Sequence, residues 1–534
     1  MNPEWKAYGI YAGVALAVLL PLFWPGFILT LDLVFTPTLP MPSSVTSSYP
    51  FHALLHVLNI LIPAEIIQKF ILLTILLLAS IGMHRLIRTI DRKRSDIDWG
   101  IYIASIFFAI NPFTYSRFMA GQYAVLLGYA LLPWFARALL KFAAKPTALG
   151  ACKLGGLAAL IGIVSIHTLA ALAILTVAYS VAMFFDKKQR RKFFSYGLLG
   201  IGLFFFVSSY WIVPLAMGQG KTAATIADFT SADTSAFATA GGNPLERIYN
   251  MLHLQGFWAE GRGLYLLPQD RMILWGLLAI LIGALVIVGA VNLWRKRRLL
   301  VLWLGSSALI AICIAAGTWT TNIPLLTGLR EPHKLIALVA LGYGVFLAFG
   351  INAVLGRLYT KNQTLYAATA VLFVLLPFIY MRVMFFGFDG QLTPRQYPPD
   401  WTTANKQLMN YPNGQVLFLP WHQYMTFQFA GRIIANPAPM FFGQRTIVSN
   451  DPELGNASGG AGSQSQQAIA NILPDAAKRT DLAVRLAGQD VRLILVAKEL
   501  DYSQYDYLDS QPGITRVHDY PSIRLYKNEA WRQQ

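Results

Sequence analysis

The run "YGIYAGVALAVLLPLFWPGFILT" (residues 8–30) and ten later apolar stretches most constrain what this chain can fold into. The others cover about 66–83, 99–114, 121–140, 152–166, 168–185, 194–217, 271–293, 299–317, 335–356 and 364–386. Such stretches suit a hydrocarbon core of roughly 30 Å, where only a helix or a closed barrel satisfies its own backbone. Charged residues make up 13% of the 534, about half the share of a soluble protein. The chain therefore reads as a polytopic α-helical membrane protein with about eleven transmembrane helices.

Charge decides how the longest run is divided. "KLGGLAALIGIVSIHTLAALAILTVAYSVAMFFDKK" (153–188) is too long for one ordinary crossing and carries "SIHT" near its middle. With a turn at His167, the clusters around Arg85–Arg94, Arg137–Lys153, Lys187–Lys192, Arg295–Arg298 and Arg357–Lys361 all fall on one face, along with Lys6. That face collects 21 of the 43 basic residues. The positive-inside rule places it, and the N-terminus, in the cytoplasm. The net charge of +17 is thus explained by topology, and nucleic acid is not an expected partner. Membrane lipids are, and the plasma membrane of a prokaryote is the expected location.

On the opposite face the sequence predicts outer loops at 31–64, 218–270 and 318–334, and a polar tail. The expected division is a membrane domain over 1–386 and a soluble extracytoplasmic α/β domain over 387–534. The tail holds short apolar runs such as "QVLFLPW" and "VRLILVAK", and ends in two strands around Tyr520-Pro521. Ionisable residues are nearly absent from the middles of the apolar stretches. This disfavours an ion-driven transporter, which needs an intramembrane relay of such groups.

Polar groups instead gather where the expected spans emerge. Asp32 is the lone formal charge between Lys6 and Glu65. The same surface receives Arg117 and Gln122 from "NPFTYSRFMAGQY", His167, Tyr210 and Trp211 from "SSYWIVP", Trp258 and Glu260 from "QGFWAEGRG", and "REPHK" (330–334). In the last, Arg330, His333 and Lys334 suit phosphate oxygens, since a guanidinium offers a planar fork of donors and an ammonium a point charge. Glu331 sits among them. The same residues also suit a helix end anchored at lipid head groups. Asp32 is readable as a helix-end boundary or cap, or as a general base held by the rigid end of a helix. His167 is readable as a turn residue or a substrate contact, and the aromatics as an interfacial belt or a binding platform. His52 and His56 share a helix face, but without a third ligand they indicate an interfacial helix rather than a metal.

The segments "PGFILTLDLVF", "NPFTYSRFMAGQYAVLLGYALLPW", "SSYWIVPL" and "GLREPHKL", followed by a soluble tail, resemble the GT-C integral-membrane glycosyltransferases, and within them the YfhO-like and AftD-like membrane proteins. The resemblance covers the layout of residues 1–386. It implies a GT-C-like fold, a sugar donor on a polyprenyl phosphate, a glycan or glycolipid acceptor, and transfer on the extracytoplasmic face. It also implies that the first-loop acid acts as general base, and Asp32 is the residue that matches. Many members carry adjacent acids there; here Leu33 follows, so a divalent metal is not indicated and no other cofactor is called for. Arg330 and Lys334, with His333, would then bind the donor phosphate. Arg117, Gln122, His167, Tyr210, Trp211, Trp258, Glu260 and Glu331 would line the substrate site. The competing expectation is a non-enzymatic lipid-linked glycan translocase or cell-envelope assembly factor, which shares the cleft but does not need the Asp32 carboxylate.

Overall fold

A computed structural model describes residues 3–91, 98–185, 188–227, 231–317, 331–443, 445–454 and 462–533. Arg330 and most of the expected loop 318–334 lie outside these residues. Among the described residues, nine helices are long and apolar enough to cross a membrane: Glu4–Phe23, Ala64–Ile90, Tyr123–Ala144, Ile166–Phe184, Arg190–Ala216, Trp275–Trp294, Arg298–Ala316, Pro332–Tyr359 and Gln363–Tyr380. The other two expected spans are shorter helices, and their caps explain why. Asn111 accepts a hydrogen bond from the Thr114 amide, and Thr114 Oγ1 accepts one from the Asn111 amide. This reciprocal cap, with Pro112 in the first turn, starts a new helix over Pro112–Met119. It limits the preceding helix to Trp99–Ala109, 11 residues or about 16 Å. Thr147 caps the other, Ala148–Val164, of 17 residues. That helix ends at Ser165, and the next begins at Ile166, so the long run does divide beside His167.

The first apolar run also departs from expectation. Its helix ends in a 3-10 turn at Leu20–Phe23, because Pro21, Pro25 and Gly26 interrupt the helical ladder. Residues Phe27–Ile28 continue as a strand, β1. The backbone amide and carbonyl of Ile28 are satisfied by the Gln68 carboxamide, at 2.9 and 2.8 Å. Asp32 is therefore not held by a helix end. It sits in a loop braced by other segments.

The last part of the chain has its own sheet. β1 pairs antiparallel with β2 (Pro394–Arg395). Five strands, β3 (Gln415–Leu419), β6 (Thr446–Ile447), β7 (Val491–Ala497), β8 (Ile514–Asp519) and β9 (Ile523–Asn528), form a mixed sheet in the order β6-β3-β7-β9-β8. β3 runs parallel to β6 and β7, and β9 antiparallel to β7 and β8. β4 (Tyr424–Phe427) and β5 (Arg432–Ala435) make a separate hairpin. One face of the sheet packs on Trp401, which is fully buried among Phe418, Phe427, Phe429, Phe441 and Phe442. That aromatic cluster is continuous with the apolar core of the helices.

Candidate functional site

The loop carrying Asp32 is shaped by three contacts. Thr30 and Leu33 exchange backbone hydrogen bonds of 3.2 and 2.7 Å, closing a tight turn with Leu31 at φ 36°. The Asp32 amide donates to the Ala120 carbonyl (3.1 Å), at the turn after the helix Pro112–Met119. Gly121 lies directly beneath, at φ +72°. A Cβ there would meet the Leu33 nitrogen at 2.2 Å and the Thr30 oxygen at 2.4 Å. From the far side, the β4–β5 hairpin takes Leu31 as a partner: Leu31 donates to Ile433 (3.3 Å) and accepts from Ala435 (2.8 Å).

This arrangement turns the Asp32 carboxylate into a cavity of about 540 Å³. Its walls come from Gln122 and Glu331 behind Asp32; Phe237, Phe257, Trp258 and Arg262 on a second side; and Gln423, Tyr424, Ile433 and Glu453 on a third. Asp32 Oδ1 accepts from the Tyr424 hydroxyl at 2.7 Å, and Oδ2 lies 3.5 Å from Gln122 Nε2. Asp32 is exposed, but the surface it exposes lies within the cavity, where surrounding protein replaces part of its water. Desolvation therefore pushes it above the ordinary carboxylate range, with the Glu331 charge adding; Tyr424, Lys334 and Gln122 work against the shift without cancelling it.

Behind Asp32 lies a buried ionic network centred on Arg117, which is fully inaccessible. Its Nη1 donates to Gln122 Oε1 (2.6 Å) and Glu331 Oε2 (2.8 Å), and its Nη2 to His333 Nδ1 (2.8 Å). Arginine can only donate, so His333 Nδ1 accepts and the ring proton sits on Nε2, which donates to the Gln255 carbonyl at 2.9 Å. The guanidinium also lies over Phe257, 4.2 Å from the ring centre, and over Phe113 at 5.4 Å. Lys334 Nζ reaches Glu331 Oε1 at 3.5 Å. Burial by itself would raise the Glu331 carboxyl, but Lys334 and Arg117 outweigh it and hold Glu331 well below the usual range. Asp32 and Glu331 are thus neighbouring carboxylates pushed in opposite directions.

The remaining expected site residues separate into groups. Glu260 accepts from Ser116 Oγ and the Gly256 amide, both at 2.7 Å, tying its loop to the helix that carries Arg117. Desolvation raises its carboxyl despite those bonds. Trp258 lines the cavity edge-on to Phe237, with Arg262 over its ring at 5.2 Å. His167 and Lys334 line a small adjoining space with Phe113 and Tyr129. Tyr210 and Trp211 lie apart from the large cavity, the Tyr210 hydroxyl donating to the Ser47 carbonyl at 2.5 Å. His56 likewise has a local partner, the Leu39 carbonyl at 2.6 Å.

Sequence reasoning missed the wall built by the tail. "PWHQYMTFQFAGRIIAN" carries no motif that marks Tyr424; strand alternation is its one signal. Arg262 sits in the quoted "QGFWAEGRG" but was not singled out, because an isolated arginine in a loop is commonplace.

Comparison with known proteins accords with this layout. Residues 47–530 match the family described as alpha-(1->3)-arabinofuranosyltransferase, N-terminal GT-C domain. The cryo-EM structure of arabinofuranosyltransferase AftD from Mycobacteria superposes with a TM-score of 0.67 at 17% identity, over 99% of this chain and 40% of that one. The crystal structure of the Archaeoglobus fulgidus oligosaccharyltransferase gives a TM-score of 0.52 at 13% identity, over 98% of this chain and 74% of that one. This chain thus spans about two-fifths of the mycobacterial protein's length. No curated protein matches it by sequence.

Proposed function

Since the chain belongs to the AftD-like GT-C family, we propose that it is a membrane glycosyltransferase acting on a polyprenyl-phosphate-linked sugar. In this reading the cavity faces the extracytoplasmic side, as the distribution of basic residues supports. Asp32 is the general base. It takes the proton of an acceptor hydroxyl as that oxygen bonds to the anomeric carbon, and the lipid phosphate leaves with the electron pair of the broken bond. The acceptor is a glycan or glycolipid. The observation that carries the proposal is the contrast between the two carboxylates. Glu331 is consumed by Arg117 and Lys334, whereas Asp32 faces the open cavity with its basicity raised.

The leaving phosphate needs a cation, and Arg330 and Lys334 remain the proposed partners. His333 has both ring nitrogens engaged, so its contribution is to fix Arg117 rather than to touch phosphate. Arg262, on the wall of the large cavity, is a further candidate cation. Arabinofuranose is the sugar to try first, given the description of the matching family. The test is transfer from polyprenyl-phosphoryl-arabinofuranose, and from lipid extracts, to an alkyl arabinofuranoside, comparing wild type with Asp32→Asn at matched folded protein. Loss of a hundredfold or more, on the scale of general-base catalysis, supports the reading. Equal transfer by both proteins overturns the role of Asp32.

A further inference from the structure

We infer that Tyr424 is a positioning residue for the transfer step: its hydroxyl fixes Asp32 through Oδ1 and leaves Oδ2 as the oxygen that receives the acceptor proton. The inference rests on the reading of Asp32 as base and goes beyond it by naming the oxygen and the residue that selects it. It makes the region after residue 386 part of the reaction centre, not only a support for the acceptor.

Geometry separates the two carboxylate oxygens. The Tyr424 hydroxyl meets Oδ1 at 2.7 Å, an ordinary O–H···O distance. Gln122 Nε2 is 3.5 Å from Oδ2 and 3.4 Å from each oxygen of Glu331. That is longer than a well-formed N–H···O bond, and one amide group is spread over two carboxylates. Oδ2 therefore retains accepting capacity.

The position of Tyr424 is itself determined. It opens β4, where it pairs with Ala435 of β5, and the Ala435 amide donates to Leu31, the neighbour of Asp32. Arg432, at the start of β5, donates from Nη1 to Thr30 Oγ1 at 3.2 Å. The hairpin thus grips residues 30 and 31 on both sides while its first residue reaches Asp32. A tyrosine hydroxyl on a short strand loses little freedom in holding a carboxylate, which keeps the base in its reactive orientation.

The hydrogen bond also has an electrostatic consequence with a definite sign. It favours the charged carboxylate, opposing both the desolvation of Asp32 and the repulsion from Glu331. Lys334, beside Glu331, acts in the same direction as Tyr424. Among the described residues, Arg262 and Glu453 are the other charged groups on the cavity walls. Removing the Tyr424 hydroxyl leaves all of these in place and moves the Asp32 titration to higher pH.

The experiment compares Tyr424→Phe with Tyr505→Phe in the full chain. The second variant removes a hydroxyl that accepts from the Trp421 amide at 3.1 Å rather than donating to Asp32. Transfer from polyprenyl-phosphoryl-arabinofuranose is read against pH, and carbodiimide labelling of Asp32, followed by mass spectrometry, gives its titration midpoint with no substrate present. We expect Tyr424→Phe to lower kcat about tenfold and to shift both the acid limb and the labelling midpoint upward. Tyr505→Phe should leave both pH readouts where they are. An unshifted labelling midpoint in Tyr424→Phe overturns the inference, as do equal rate losses in the two variants. If Asp32→Asn transfers normally, the base reading falls and this inference with it. If Asp32→Asn is inactive while Tyr424→Phe matches wild type in rate and pH profile, only the inference falls.

Discussion

Asp32 and Glu331 share one hydrogen-bond donor, Gln122, yet their surroundings call for opposite charge preferences. Glu331 is paired twice within the protein, so replacing it removes a counter-charge from both Arg117 and Lys334. Glu331→Gln should lower stability by about 3 kcal/mol, the scale of breaking a buried ion pair, seen as a fall in thermal midpoint in detergent. Asp32→Asn should leave that midpoint unchanged or raise it, because the carboxylate it removes is desolvated and repelled. A large loss of stability in Asp32→Asn would make Asp32 structural. The same asymmetry predicts the pH profile. A base works when ionised, so transfer should fall as pH drops through the raised Asp32 pKa, at a pH above the ordinary value of about 4. Glu331, held low, stays ionised across that range. Asp32 was legible in the sequence as an isolated charge and Glu331 as part of "REPHK". Their opposed environments were not legible, because Glu331 is held low in part by Arg117, 214 positions away in the chain, and Asp32 is raised by the protein around it and by Glu331 itself.

The element that most constrains the site is the turn between the helices Pro112–Met119 and Tyr123–Ala144. Asn111 and Pro112 start the first of these helices, and Gly121 lets the chain reverse beneath the Asp32 loop. Gly121→Ala should therefore cost on the order of 3 kcal/mol, from a left-handed backbone and an overpacked contact together. Transfer activity per folded molecule should fall with it, because the atoms displaced are those of residues 30 and 33. Close helix crossings obey the same rule. At Gly289 and Gly350 an added Cβ would meet the facing carbonyls of Phe346 and Leu285 at 1.8 and 1.9 Å, so these two helices approach backbone to backbone. The break at His167 was legible from charge, while that at Asn111 was not read, although "NPFT" carries a helix-start signature. The apolar run was followed through it because hydropathy does not record where a helical ladder is interrupted.

Over the whole molecule, the helices and one face of the sheet share an apolar core that reaches from Tyr11 to Trp401 and Leu525, while the other face has a second core around Leu417 and Ile494. β1, from the first apolar run, pairs with β2 directly before the sheet, and the β4–β5 hairpin closes the cavity. The two regions should therefore lose structure together. Trp401→Ala should cost about 4 kcal/mol, the scale of emptying an aromatic site in a core. It should lower the thermal midpoint of the helices and of transfer activity in parallel. A helical transition left at the wild-type temperature would show the two regions to be independent.

The sequence by itself determined that this chain is a helical membrane protein with an α/β region at its end, and which face of the helices collects basic charge. Those properties follow from local hydropathy, from strand alternation and from charge near helix ends, all of which are additive along a chain. It also singled out Asp32, since an isolated carboxylate among apolar residues is conspicuous in one dimension. The tertiary structure alone decided that Asp32 stands in a braced turn rather than at a helix end. It also decided that Arg117 and His333 are locked behind the cavity, and that Tyr424 faces the carboxylate across the cavity wall. Hydrogen bonds and desolvation depend on distance in space, and residues far apart in the chain meet there only after the core has formed.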